Sequence, residues 1–126
     1  MSIAFWCILV AAILPYPIVI LAKSKRGSYD NRAPREYLAQ LEGFRKRANW
    51  AQLNAFEAFP PFAAAVIIAH LQQVSQATID MLALSFIAMR VLHAVFYVLD
   101  KPSLRSLVWF VGFACVIALF VLAGAK

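Results

Sequence analysis

Four long apolar stretches, near residues 3–22, 48–71, 79–99 and 104–125, leave this chain few folds to choose from. A helix needs about 20 mostly apolar residues to cross the hydrocarbon of a bilayer. Inside that layer only helices and closed barrels satisfy their backbone groups. The four stretches fill most of the 126 residues, so no second, soluble domain fits beside them. Composition agrees: only 14% of residues are charged, against about 25% in an ordinary soluble domain. The 63% that are hydrophobic carry too much apolar surface for a disordered chain. The expected architecture is an all-α integral membrane bundle of four transmembrane helices, a single domain over 1–126.

The first stretch resembles a signal peptide only in its apolar content. No Lys or Arg precedes it, its apolar run is too long, and no clear small-x-small cleavage site follows. It reads as a retained first span that Pro15 and Pro17 kink or loosen near its end. Gly27, Ser28, Asp30 and Asn31 mark a loop, and Pro34 suits the first turn of a new helix. From Arg35 nothing breaks a helix until Pro60-Pro61, which should bend it at mid-depth. Gln72 to Thr78 is a short polar connection, and Asp80 sits in the first turn of the third span, where the helix dipole favours a carboxylate. Asp100-Lys101-Pro102-Ser103 makes the last turn.

The net charge of +6 would suggest nucleic acid for a soluble protein. Here the cations flank apolar stretches and set orientation instead, so no nucleic-acid partner is expected. The first loop through Arg47 holds eight: Lys23, Lys25, Arg26, Arg32, Arg35, Arg45, Lys46 and Arg47. The third loop holds Lys101 and Arg105, the second loop none, and the C-terminus Lys126. Loops one and three should therefore be cytoplasmic, with both termini on the far side.

Cys7 and Cys115 lie in the first and fourth spans and read as small apolar residues. His70 and His93 fall at opposite depths, and no Cys/His cluster has metal-ligand spacing, so no metal is expected. There is no Gly-rich phosphate loop and no nucleophile elbow.

The informative residues are polar groups within the spans, which are costly in hydrocarbon and usually face the bundle interior. The second span offers Arg47, Trp50, Asn54, Glu57 and Pro61 at spacings of three and four, hence on one face. The third offers Arg90, His93 and Tyr97 in the same way. Counting the helical rise from each cytoplasmic end puts Glu57 and Arg90 at about the same depth, roughly 15 Å up. They are the expected ion pair, with Asn54, His93, Tyr97 and Arg105 below them in a polar cleft that opens to the basic loop. Such a set suits a small zwitterion with carboxylates and an amine, and an Arg near a thiol favours the thiolate. The same residues also fit a purely structural part: an ion pair that fixes helix packing, with Arg105 anchoring its span.

The run Arg47-Ala-Asn-Trp-Ala-Gln-Leu-Asn54-Ala-Phe-Glu57-Ala-Phe-Pro60 resembles the second-helix signature of the MAPEG family, the membrane-associated proteins of eicosanoid and glutathione metabolism. Arg90, Tyr97 and Leu104-Arg105 resemble that family's third-helix and following-turn residues. The resemblance covers the whole chain and is to a bacterial-type member. It implies a homotrimer in a bacterial inner membrane, with glutathione as co-substrate held between subunits and a lipophilic small molecule as the second substrate. Asn54, Glu57 and Tyr97 match glutathione-contacting positions, and Arg90 matches a position that supports the site. Arg47 and His93 join them as candidate contacts. Arg105 matches, with a one-residue offset, the Arg that activates the thiol in leukotriene C4 synthase-like members, and Lys23, Lys25 or Arg26 would supply a further cation. Three positions depart from that pattern: Trp50 stands for a glutathione-binding Arg, Ala58 for a Tyr, and His93 for a Tyr.

Three functions follow. The first is a glutathione-dependent transferase or peroxidase acting on lipophilic electrophiles. The second is a non-catalytic membrane trimer that binds lipid or another ligand, as the family's five-lipoxygenase-activating protein does; Trp50, Ala58 and His93 favour it. The third, a small proton-coupled exporter, rests on Glu57 in a four-span chain and ranks last, because it leaves Asn54, Arg90, Tyr97 and Arg105 unexplained.

Overall fold

The computed structural model describes residues 1–25 and 27–126, and these form helices and connections without strands. The helices are α1 (Ile3–Ile13), α2 (Pro15–Ala22), α3 (Pro34–Ala39), α4 (Gly43–Leu71), α5 (Gln76–Val98) and α6 (Pro102–Gly124). The α1–α2 run and α4, α5 and α6 are each long and apolar enough to cross a membrane.

Proline places the first break. Leu14, between α1 and α2, keeps helical angles of φ −51° and ψ −38°. Pro15 and Pro17 have no N–H to give the carbonyls of Ala11 and Ile13, so the hydrogen-bond ladder lapses there. The second break corrects the reading of one continuous helix from Pro34 to the proline pair. Helix α3 ends at Ala39, and α4 begins at Gly43, which takes φ +63°. That angle is easy for glycine and costly for other residues, so the chain turns there before the long helix starts. Helix α4 then runs through Pro60 and Pro61 without interruption. The proline pair leaves the Glu57 carbonyl with no N–H at either of the two positions, three and four residues on, that a helix uses.

Helix α4 touches every other helix and organises the bundle. Small residues let it approach closely, which matters in lipid, where packing rather than water exclusion joins helices. Ala65 and Ala69 of α4 and Ala4 and Ala83 opposite them are fully buried. Phe62 stacks on Phe86 of α5 at 4.0 Å between ring centroids. At Gly112 of α6 an added Cβ would come within 3.4 Å of Met89, so α5 and α6 close tightly at that level. Cys7 and Cys115 are free thiols buried in the same core.

Asp80 acts across the bundle. Its Oδ1 accepts from the backbone N–H of Ala4 at 2.8 Å and from Gln76 Nε2 at 2.8 Å. It therefore caps α1, whose first N–H groups lack partners within their own helix. Gln76 in turn meets His70 Nδ1 at 3.1 Å, so α1, α4 and α5 are tied at one end of the bundle.

Candidate functional site

The polar groups of α4 and α5 meet along one side of the bundle. Asn54 and Glu57 face α5 or the open groove beside it, and Trp50 and Tyr97 complete the groove's mouth. The Trp50 and Tyr97 rings lie 6.3 Å apart. Deeper in, Asn54 and Glu57 also border a cavity of about 140 Å³ that reaches Arg90, Phe86, Trp109 and Phe113. Trp109 and Phe113, one turn apart on α6, stack at 5.2 Å and give this cavity a flat aromatic wall.

Arg90 is 4% exposed, and its Nη2 donates to Asn54 Oδ1 at 2.8 Å. This corrects the expected Glu57–Arg90 ion pair: among the described residues those two make none. Matching depths by helical rise fixes height but not direction. Residues three apart on a helix differ by about 60° around its axis, so with Asn54 turned to Arg90, Glu57 is rotated toward the open groove. Among the described residues Arg90 Nε, buried, has no partner, and neither has His93 Nδ1 one turn further along α5. The His93 ring is buried edge-on to Tyr97 at 5.6 Å. Arg105, at the start of α6, places its guanidinium 4.5 Å over the other ring in this chain of contacts, that of Tyr97.

Arg47 stands apart from this group. Its Nε donates to the carbonyl of Val98 at 3.1 Å, where the end of α5 has carbonyls to spare. The remaining cations of the first loop separate as well. Lys23 borders a second groove, of about 740 Å³, with Arg35 of α3 and with Asn49 and Gln52 on the other flank of α4. Gln52 Nε2 donates to Asn49 Oδ1 at 3.0 Å, and both side chains are buried. Lys25 borders a different cleft, and Arg26 lies outside the described residues. The sequence reading missed this second groove. Its signal was Asn49 and Gln52, two amides at helical spacing on the face of α4 away from Asn54. The aromatic wall was also missed, because Trp109 and Phe113 are indistinguishable in sequence from lipid-facing residues.

Helix α4 thus carries Asn54 on the face that meets Arg90 of α5, with Glu57 one turn on and the proline pair just beyond. A sequence profile of the MAPEG family matches residues 3–125. The chain belongs to the MAPEG family. It is therefore a multi-pass membrane protein of a family that includes glutathione transferases and peroxidases along with other members. Comparison with curated proteins and with solved structures finds no match. The three positions at which the chain departs from the leukotriene C4 synthase-like MAPEG pattern fall at different levels of the site. Trp50 is at the mouth, Ala58 borders the inner cavity, and His93 is buried behind Tyr97.

Proposed function

We propose that this MAPEG protein is a membrane-bound glutathione-dependent transferase or peroxidase for lipophilic electrophiles, working as a homotrimer. The observation that carries the reading is the buried Arg90 held on Asn54, directly behind a groove that offers Glu57, Trp50 and Tyr97. The donor set fits glutathione by chemistry: Glu57 accepts from an ammonium, while Asn54 and nearby guanidinium groups suit carboxylates. Bound glutathione would supply the nucleophilic sulfur. Arg105 is the residue we assign to holding that sulfur as thiolate, since a guanidinium stays protonated and donates directed hydrogen bonds.

The trimer reading has its own support. Glu57 lies midway along α4 and is exposed in a single chain. A carboxylate at that depth cannot face lipid without a cost of several kcal/mol. Polar groups occupy two flanks of α4, with Asn54 and Glu57 on one and Lys23 and Gln52 beside the other. Packing three copies around α4 would bring one flank against the other and cover both. On this reading Lys23, rather than Lys25, is the first-loop cation that reaches the ligand. Loops one and three lie in the cytoplasm, beneath a bacterial inner membrane.

A non-catalytic ligand-binding trimer is the second reading, and Trp50 favours it. At 44% exposed, its ring puts apolar surface at the mouth where the catalytic pattern has a cation. Two measurements on the detergent-purified protein separate the readings. Glutathione at 100 times its dissociation constant should stabilise the fold by about 2.7 kcal/mol, and a panel of lipophilic electrophiles should be conjugated or reduced. Stabilisation without turnover would select the binding protein, and neither would remove glutathione from the account.

A further inference from the structure

The end of the bundle that carries the first loop holds a cup that the proposed chemistry does not use. Its walls come from the turn after α2, from α3 and from the start of α4, and its volume is about 400 Å³. Six polar side chains border it: Lys25, Ser28, Tyr37, Gln40, Glu42 and Arg45. Buried Leu41 adds an apolar patch.

The cup is fastened by its own hydrogen bonds. Ser28 Oγ donates to the Lys25 carbonyl at 3.1 Å and so accepts from the Tyr37 hydroxyl at 2.9 Å. Arg45 Nε donates to Ser24 Oγ at 3.2 Å, and its guanidinium lies 4.4 Å over the Phe44 ring. These contacts hold the turn against α3 and α4. Among the described residues they leave the Lys25 ammonium and the terminal guanidinium nitrogens of Arg45 without a protein acceptor. Glu42 adds a carboxylate to the same rim, and its only ionic partner among the described residues is Lys46 at 3.8 Å.

Helix lengths set the level of the cup. The α1–α2 run of 20 residues rises about 30 Å, the thickness of the hydrocarbon layer. Lys25 and Ser28 follow its end and stand just beyond that layer. Helix α4, with 29 residues, rises about 43 Å and exceeds the layer by about 13 Å. Its first turns, with Arg45, therefore fit among the lipid headgroups.

A headgroup that uses all of these charges has a phosphate and a primary amine. The phosphate suits Lys25 and the free fork of Arg45, while the ammonium donates to Glu42. We infer that this cup binds the headgroup of an ethanolamine phospholipid in the leaflet beside the first loop. A choline headgroup has no N–H to give Glu42. A glycerol headgroup leaves Glu42 beside a net anion. A loosely basic loop does the opposite and prefers anionic lipids, so the order of preference distinguishes a built site from diffuse attraction. The inference rests on the membrane placement and not on the thiol-transfer reading.

The test is native mass spectrometry of the full chain in mild detergent with dioleoyl phosphatidylethanolamine, phosphatidylcholine and phosphatidylglycerol at equal concentrations. Phosphatidylethanolamine should be retained about tenfold better than either competitor, the effect of one charge-assisted hydrogen bond. Glu42→Gln should erase the preference over phosphatidylcholine, and the Lys25→Ala/Arg45→Ala double variant should weaken retention of phosphatidylethanolamine by at least about tenfold. Melting temperatures measured before lipid addition establish that the variants fold, and Glu42→Gln alone tests the site if the double variant does not. Best retention of phosphatidylglycerol, or equal retention of all three lipids, would overturn the inference. So would competition by water-soluble glycerophosphoethanolamine at concentrations as low as the lipid's, which would make a free phosphoester the ligand.

Discussion

Replacing Asn54 should expose how far the site depends on Arg90. Arg90 is 4% exposed, donates to Asn54 and has no partner at Nε among the described residues. Asn54→Ala leaves the guanidinium buried without that acceptor. A hydrogen bond to a charged group contributes about 1.5–3 kcal/mol in water-soluble proteins, and interhelical bonds in membranes are weaker, with couplings up to about 1.7 kcal/mol. Asn54→Ala should therefore cost about 2 kcal/mol. Arg90→Met removes the buried charge along with its bond, and once Asn54 is gone it should cost far less than in the wild type. The coupling between the two changes should be about 1.5 kcal/mol. Unfolding of the four proteins by sodium dodecyl sulfate in mixed micelles, followed by far-ultraviolet circular dichroism, measures it. Glu57→Gln combined with Arg90→Met is the control and should couple less strongly, because no ion pair joins those residues. Additivity of Asn54→Ala and Arg90→Met within about 0.5 kcal/mol, or stronger coupling to Glu57, would refute the assignment of Arg90 to Asn54.

Three further outcomes are expected. Arg105→Ala should lower conjugation turnover far more than glutathione affinity; full turnover at pH 7 would return Arg105 to the part of a membrane anchor resting on Tyr97. Native mass spectrometry in mild detergent should give a trimer, and a clean monomer would leave exposed Glu57 without cover. Asp80→Ala strips the acceptor from Ala4 and Gln76 and should lower stability by about 1–2 kcal/mol, with hydrogen exchange speeding up at the start of α1; unchanged exchange there would mean that α1 does not need this cap.

The spans were legible because hydrocarbon imposes both a length and an apolar composition, and each of the four stretches shows both. Face membership within a helix was legible too. Trp50, Asn54 and Glu57 recur at helical spacing and do line one groove. What spacing could not settle was which member of the face meets a neighbour, since that depends on rotation about the axis and on how closely the helices approach. Hence equal depth points to Glu57 as the partner of Arg90 although Asn54 holds it, and helical spacing points Arg47 to the cleft although it reaches the end of α5. The break at Gly43 is written in a single glycine, a weaker stop signal than a proline because glycine also fits inside a helix. Spacing ties Asp80 only to its own helix, because nothing in sequence links it to Ala4 on another helix, 76 residues earlier.

The proline pair of α4 gives this site a component that no side-chain scan can see. With Pro60 and Pro61 in place, the chain supplies no helical N–H to the carbonyl of Glu57. Glu57 thus brings two acceptors to mid-membrane, its carboxylate and its own main-chain oxygen, and only the first disappears in Glu57→Ala. Pro61→Ala would leave every polar side chain of the groove intact, yet it returns an N–H to that oxygen and withdraws it from whatever solvates it. The polarity of the groove is therefore written partly in two residues that have no polar side chain at all.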